Sequence, residues 1–117
     1  MKGMVVNRLE WGAREPAKAF RRLAHHRVKG VVLHHSGVQD GPTGIAAVKA
    51  FEAYHMDNRK WDGIAYNWLV DPSGAVFEGR GGGWRGAATR GWNARSESVC
   101  YTGWGYEPVP AVALKAI

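Results

Sequence analysis

The sequence predicts an α/β layer of the α+β kind, a central mixed β-sheet flanked by helices. Three observations carry this expectation. Short apolar runs at 28–35, 64–70 and 99–102 have strand length and alternate with segments of helical period. The turn Asp71-Pro72-Ser73-Gly74 folds one such run back as a hairpin. The 117 residues are 45% hydrophobic and 22% charged, which fits one globular domain, residues 1–117, and not two.

The elements are taken in chain order. Pro16 suits a first helical position, so Ala17 to His26 reads as a short basic helix with Phe20, Leu23 and Ala24 inward. Val28 to His35 reads as a buried strand ended by Ser36-Gly37. Gln39-Asp40-Gly41-Pro42 forms a turn, and Thr43 can cap the next helix. Ile45, Val48, Phe51 and Tyr54 recur at helical spacing, giving an amphipathic helix over 44–56. Ile64 to Val70 and Ala75 to Glu78 are the arms of the hairpin. Residues 79–95, rich in Gly, Trp and Arg without period, form a long surface loop of the kind that usually carries function. Val99 to Thr102 is a last strand, and Pro110 to Ile117 begins a helical pattern.

Composition narrows the function classes. No apolar run reaches membrane-span length, and Met1 to Arg8 is too short in apolar residues for a secretory signal. The expectation is a chain made in the cytoplasm, with no membrane partner. A single cysteine, Cys100, excludes an internal disulfide and any multi-cysteine zinc knot. The net charge is +6. It is uneven, because Lys2, Arg8, Arg14, Lys18, Arg21, Arg22, Arg27 and Lys29 face only Glu10 and Glu15 within residues 1–30. That imbalance attracts polyanions, whether nucleic acid or an acidic wall. Six tryptophans and sixteen glycines point to close-approach loops beside flat aromatic surfaces, as in sugar-binding clefts.

The stretch Val31-Val32-Leu33-His34-His35-Ser36 delivers two histidines to a strand end. Alternation sends them to opposite faces, so one alone enters a given cleft. A rigid strand fixing an imidazole beside an open loop is a common start for metal or acid–base chemistry.

Several blocks, in order, resemble peptidoglycan recognition proteins and the phage-type N-acetylmuramoyl-L-alanine amidases. They are Trp11-Gly12-Ala13-Arg14, Val32-Leu33-His34-His35-Ser36, Phe51 to Asp57, Trp61 to Val70, Gly74 to Arg80 and Gly86 to Asn93. The resemblance implies a zinc hydrolase that cuts the amide between the lactyl group of N-acetylmuramic acid and L-alanine. It implies His34 as the first zinc ligand and Tyr66 as the phenol that supports the tetrahedral intermediate. By the same resemblance His35, His55, Trp61, Asn67, Arg80, Thr89 and Asn93 line the groove for glycan and stem peptide. Zinc would acidify a bound water and polarise the carbonyl, and a phenol aimed at the oxyanion would stabilise charge in the transition state.

Departures from the family pattern set further expectations. The late His and Cys ligands of the family have no counterpart in residues 1–117, so two of three ligands are missing and the chain as written is expected to be C-terminally incomplete and inactive alone. Cys100 sits at a non-ligating family position and is expected to pack as a small hydrophobe. Ala88 replaces a usual histidine and Glu97 a usual apolar residue, which favours a non-catalytic peptidoglycan recognition or regulatory module as the alternative. A distant alternative is a basic scaffold for nucleic acid or a protein partner, although nucleic-acid fingerprints are absent. The expected partner is peptidoglycan at the bacterial cell wall. Incomplete cover of one sheet face predicts exposed apolar surface near residues 99–117, and self-association through it.

Overall fold

Two rows of side chains, read across a five-stranded sheet, explain how the chain is layered. The computed structural model describes residues 5–35, 44–103, 109 and 111–117. In it β1 (Val5–Val6), β2 (Gly30–His35), β3 (Trp68–Val70), β4 (Val76–Glu78) and β5 (Ser96–Tyr101) lie in the order β1-β4-β3-β5-β2. The sheet is mixed, as expected: β3 and β4 are antiparallel, and the other pairings are parallel.

Register places Val6, Phe77, Leu69, Cys100 and His34 in one row. Neighbours along each strand face the other way, so Val5, Val76, Val70, Tyr101 and His35 form the opposite row. The first row packs with Trp11, Val48 and Ile64 under α2 (Gly44–Ala53). The second packs with Ala113 and Ala116 of α3 (Ala111–Ala116) and with Val109.

A single helical turn, α1 (Arg8–Trp11), pins the sheet's far end. Its capping box is complete: the Asn7 side chain accepts from the Glu10 N–H at 2.8 Å, and Glu10 Oε1 accepts from the Asn7 N–H at 3.2 Å. Gly12 closes it in the left-handed region, with φ of 77°. The turn buries Trp11, whose indole N–H donates to the Glu78 carbonyl at 2.8 Å.

Several expected elements differ. Residues 17–24 are not helical, because their backbone donors go to distant partners: Ala17 N–H to Asp62 O at 2.8 Å and Leu23 N–H to Gly83 O at 2.9 Å. Only His25–Arg27 makes a 3-10 turn. Leu23 is nevertheless buried. The expected strand at 64–70 is regular only over β3, since Ala65 and Asn67 bond to side chains as well as to strands. Helix α2 is present, but its inner stripe is rotated: Ala47, Val48 and Glu52 are buried while Ile45 and Tyr54 are exposed. Glu52 tolerates burial because it accepts the Arg14 N–H at 2.9 Å. The helix then widens into a π turn over Tyr54–Asn58, which turns His55 inward. The turn at 39–42 and the cap at Thr43 lie outside the described residues.

Strand β2 is an edge strand among the described residues, not a buried one. Val31 is 63% and Leu33 57% exposed. Helix α3 covers the central strands, so Val99 and Tyr101 are buried and the open apolar surface lies on β2 instead. The expectation of exposure near 99–117 is therefore displaced by one strand, with Ile117 also exposed.

Candidate functional site

The row that starts at Val6 ends at His34, on the side of the sheet that carries α2. The His34 ring lies 5.5 Å from that of Tyr66. Tyr66 is 5.7 Å, edge-on, from His55, and His55 is 5.0 Å from Trp61. Four rings from three segments thus line one continuous wall. The loop 79–95 closes its other side: His34 Nε2 and Thr89 Oγ1 share a hydrogen bond of 2.8 Å. Thr89 is itself held by Asn93, whose Oδ1 accepts the Thr89 N–H at 3.0 Å.

Glycine makes this arrangement possible at one position. A Cβ on Gly79 would collide with the Tyr66 carbonyl, and the Gly79 N–H donates to Asn67 O at 2.9 Å. The Tyr66 backbone can sit where it does only because residue 79 has no side chain.

The electrostatics favour neutral rings. Burial pushes the His55 imidazolium down to about 4, with Arg80 and then Arg59 adding repulsion. His55 Nδ1 accepts the Ala65 N–H at 3.0 Å, so the ring carries its proton on Nε2 and is a fixed donor at neutral pH. His34 is lowered as well, by burial first and by His35 second. Burial raises Tyr66 above the ordinary phenol range, with the Cys100 thiol adding to the effect. Cys100 is pushed up to about 12 by burial, against the opposing hydrogen bond from Tyr66. It is a buried thiol, not a thiolate, which matches its expected role as a small hydrophobe.

Of the other residues expected in the groove, Asn67 and Arg80 are buried in the fold beside the wall and His35 lies on the opposite face. Asn67 is fully buried: Nδ2 donates to Gly81 O at 2.9 Å and Trp84 O at 2.7 Å, and Oδ1 accepts the Ser98 N–H at 2.8 Å. Its bonding capacity is used inside the fold, tying the 81–84 loop to β5. Arg80 is 7% exposed, donates to Ile64 O at 2.8 Å and Arg85 O at 3.0 Å, and stacks 4.7 Å from the Phe20 ring. Through these contacts it ties residues 64 and 85 to Phe20. His35 follows strand alternation onto the opposite face and is exposed there. Arg59 is the residue that the sequence reading missed. Four residues beyond His55, it lies over the Trp61 ring at 4.9 Å and brings a cation to the wall's rim. That i, i+4 spacing was the available signal.

The donor set does not complete a metal site among the described residues. Among the described residues no group of three His, Cys, Asp or Glu side chains could hold an ion. His34 has Tyr66, Thr89 and a protonated Cys100 as neighbours, which gives one good ligand where a catalytic zinc takes three. Chemically, the wall can stack a ring or acyl chain and offer hydrogen-bond donors to a carbonyl.

Comparison with known proteins agrees with this fold. A family profile described as N-acetylmuramoyl-L-alanine amidase matches residues 24–117. Peptidoglycan-recognition protein SC2 of Drosophila simulans is 35% identical over 102 residues, 85% of this chain and 54% of that protein. An N-acetylmuramoyl-L-alanine amidase of Mus musculus is 33% identical over 101 residues, 82% of this chain and 19% of that protein. The chain thus spans about half the length of the first relative and less of the second. Among solved structures, peptidoglycan recognition protein-LE in complex with tracheal cytotoxin matches with a TM-score of 0.88 and 30% identity, over 96% of this chain and 68% of that one. Human PGRP-IBETAC in complex with glycosamyl muramyl pentapeptide matches with a TM-score of 0.85 and 28% identity, over 96% and 69%.

Proposed function

Because the chain belongs to the N-acetylmuramoyl-L-alanine amidase family, we propose that its His34–Tyr66–His55–Trp61 wall binds a muropeptide, the glycan–peptide fragment of bacterial peptidoglycan. The observation that carries this reading is the contiguity of the four rings, with His34 fixed by Thr89. The Tyr66 phenol stays protonated at neutral pH and would exchange its hydrogen bond to the Cys100 thiol for a stem-peptide carbonyl, and His55 Nε2–H is a second donor. Trp61 supplies a flat apolar surface for a sugar or alkyl face, and Arg59 a cation for a carboxylate. Two solved relatives are described by their bound ligands, tracheal cytotoxin and glycosamyl muramyl pentapeptide, which supports the same ligand class here. The site of action is accordingly the cell wall.

The test is calorimetric titration with a purified muramyl pentapeptide. Binding that weakens about tenfold in Tyr66→Phe supports the reading, because one hydrogen bond to a desolvated group is worth about 1.4 kcal/mol. Wild-type protein that takes up no muropeptide at low salt refutes it.

Zinc-dependent hydrolysis of the lactyl–L-Ala amide is the second reading, favoured by the family match and by the His34–Tyr66 pair. Among the described residues His34 alone would hold the ion. Turbidity of a wall suspension, followed beside elemental analysis of the same sample, separates the readings. Lysis with about one zinc per chain would make the protein an amidase; binding without lysis or metal leaves recognition.

Self-association belongs to this proposal too. Val31 and Leu33 form an uncovered apolar strip on an edge strand, a surface that pairs readily with a second copy. Sedimentation should detect a dimer that Leu33→Lys dissolves; a wild-type monomer at high concentration rejects it.

A further inference from the structure

The two ends of strand β2 carry different side-chain clusters. His34 stands at its C-terminal end, and at its N-terminal end His26, Arg27, Lys29 and Arg95 line a shallow depression with Ala94. The two ends are separated by roughly 16 Å, five strand residues at about 3.3 Å each. The Lys29 N–H donates to Arg95 O at 2.7 Å, which sets the two basic residues side by side where β2 and β5 begin. Arg95 is further oriented by the exposed ring of Trp92, with its guanidinium 4.0 Å from the ring centroid. Arg27 is fixed by the 3-10 turn, its N–H donating to Ala24 O at 2.9 Å.

No carboxylate neutralises this cluster among the described residues. The ion pair Arg14–Asp57 lies in another part of the fold. Glu97, the nearest acid along β5, lies against Gly82 instead. Three permanent cations therefore border one concavity that has no acidic residue in its lining, in a chain of net charge +6. Such a site repels cations and offers several N–H donors to oxyanions, with Arg suited to bidentate phosphate contact.

We propose that this depression binds the phosphodiester groups of an anionic wall polymer, a poly(glycerol phosphate) or poly(ribitol phosphate) chain. The inference rests on the muropeptide reading above, since a wall-directed cleft and a polyphosphate site on one strand would engage neighbouring polymers of the same surface. One stacked tryptophan and a shallow depression fit a flexible phosphate chain better than a base-stacking track, which needs successive aromatic platforms.

The probe is purified poly(glycerol phosphate) of defined length, titrated at about 50 and about 200 mM NaCl into wild type, Arg27→Ala/Lys29→Ala and Lys18→Ala/Lys115→Ala. The control pair removes the same charge from exposed positions elsewhere. The pocket variant is expected to bind roughly tenfold more weakly and to lower the slope of log affinity against log salt by about two. The control should lose less than about threefold, through the general field alone. Equal losses in the two variants would overturn the site, as would salt-independent binding. Tighter binding of a DNA duplex with the same phosphate number would overturn the wall polymer as ligand. Muropeptide titration of the same variants keeps the proposals apart: retained muropeptide binding with no polymer binding sinks only this inference, and the reverse sinks only the cleft.

Discussion

The two faces of the sheet use the same strands for different ends. On one, the row from Val6 to Cys100 is sealed beneath Trp11, Val48 and Ile64, and it opens only at its last member, His34. On the other, α3 seals the central strands and leaves Val31 and Leu33 bare at the edge. The difference teaches that a cleft and an uncovered edge arise from one cause, the reach of the covering helix. What distinguishes them is the company kept at the margin. His34 meets Tyr66, Thr89 and a buried thiol, whereas Leu33 meets solvent.

The largest effect expected from this contrast is on stability. Leu69→Ala, in the sealed row, should lower the unfolding free energy by about 2–5 kcal/mol in urea melts, through lost burial and a residual cavity. Leu33→Ala, on the bare edge, should cost under about 1 kcal/mol. Equal costs would erase the distinction between the faces.

Gly79→Ala should come next, at about 1–3 kcal/mol, because its Cβ meets the Tyr66 carbonyl rather than a movable side chain. Muropeptide affinity should fall with it, since the Tyr66 backbone must shift. A variant with wild-type stability and affinity would show that the close approach is dispensable.

A smaller effect is expected from pH. The folded state holds His55 near 4 whereas the free imidazole titrates near 6.5. Between those values the unfolded chain binds more protons, so stability rises with pH across the window and is lost as pH falls from about 6.5 to 4. His34 is lowered also and adds a slope of the same sign. Urea midpoints at about pH 7, 5.5 and 4.5 should therefore drop less in His55→Gln than in wild type. Parallel pH profiles would contradict the neutral, donor-fixed His55.

The architecture is legible in the sequence wherever local chemistry decides it. The Asp71-Pro72-Ser73-Gly74 turn is one such place, since Asp71 Oδ1 accepts the Ser73 and Ala75 N–H groups at 2.9 and 3.1 Å. Asn7 and Glu10 carry an equally local signal for α1, a capping box that a search for apolar periodicity passes over. Periodicity reveals that α2 exists but not its phase, because Ala47 and a bonded Glu52 are buried where Ile45 is exposed. The apolar run of β2 suggests a central strand because a run records hydrophobicity and not how far α3 extends. In the candidate site, the rings of His34, Tyr66, His55 and Trp61 lie in successive contact. Asn67 and Arg80 do not join them, because a motif marks a residue as needed without saying whether ligand or fold needs it. Their bonds to loop carbonyls, and the Ser98 N–H of β5 that Asn67 Oδ1 accepts, emerge only in three dimensions.

The adjacent histidines allow the most direct test. Muramyl pentapeptide should bind His34→Ala about tenfold more weakly than wild type and His35→Ala within about twofold, because one ring faces the Tyr66 wall and the other faces away. Equal losses in both variants, or a loss confined to His35→Ala, would mean that the ligand does not occupy the face on which this account places it.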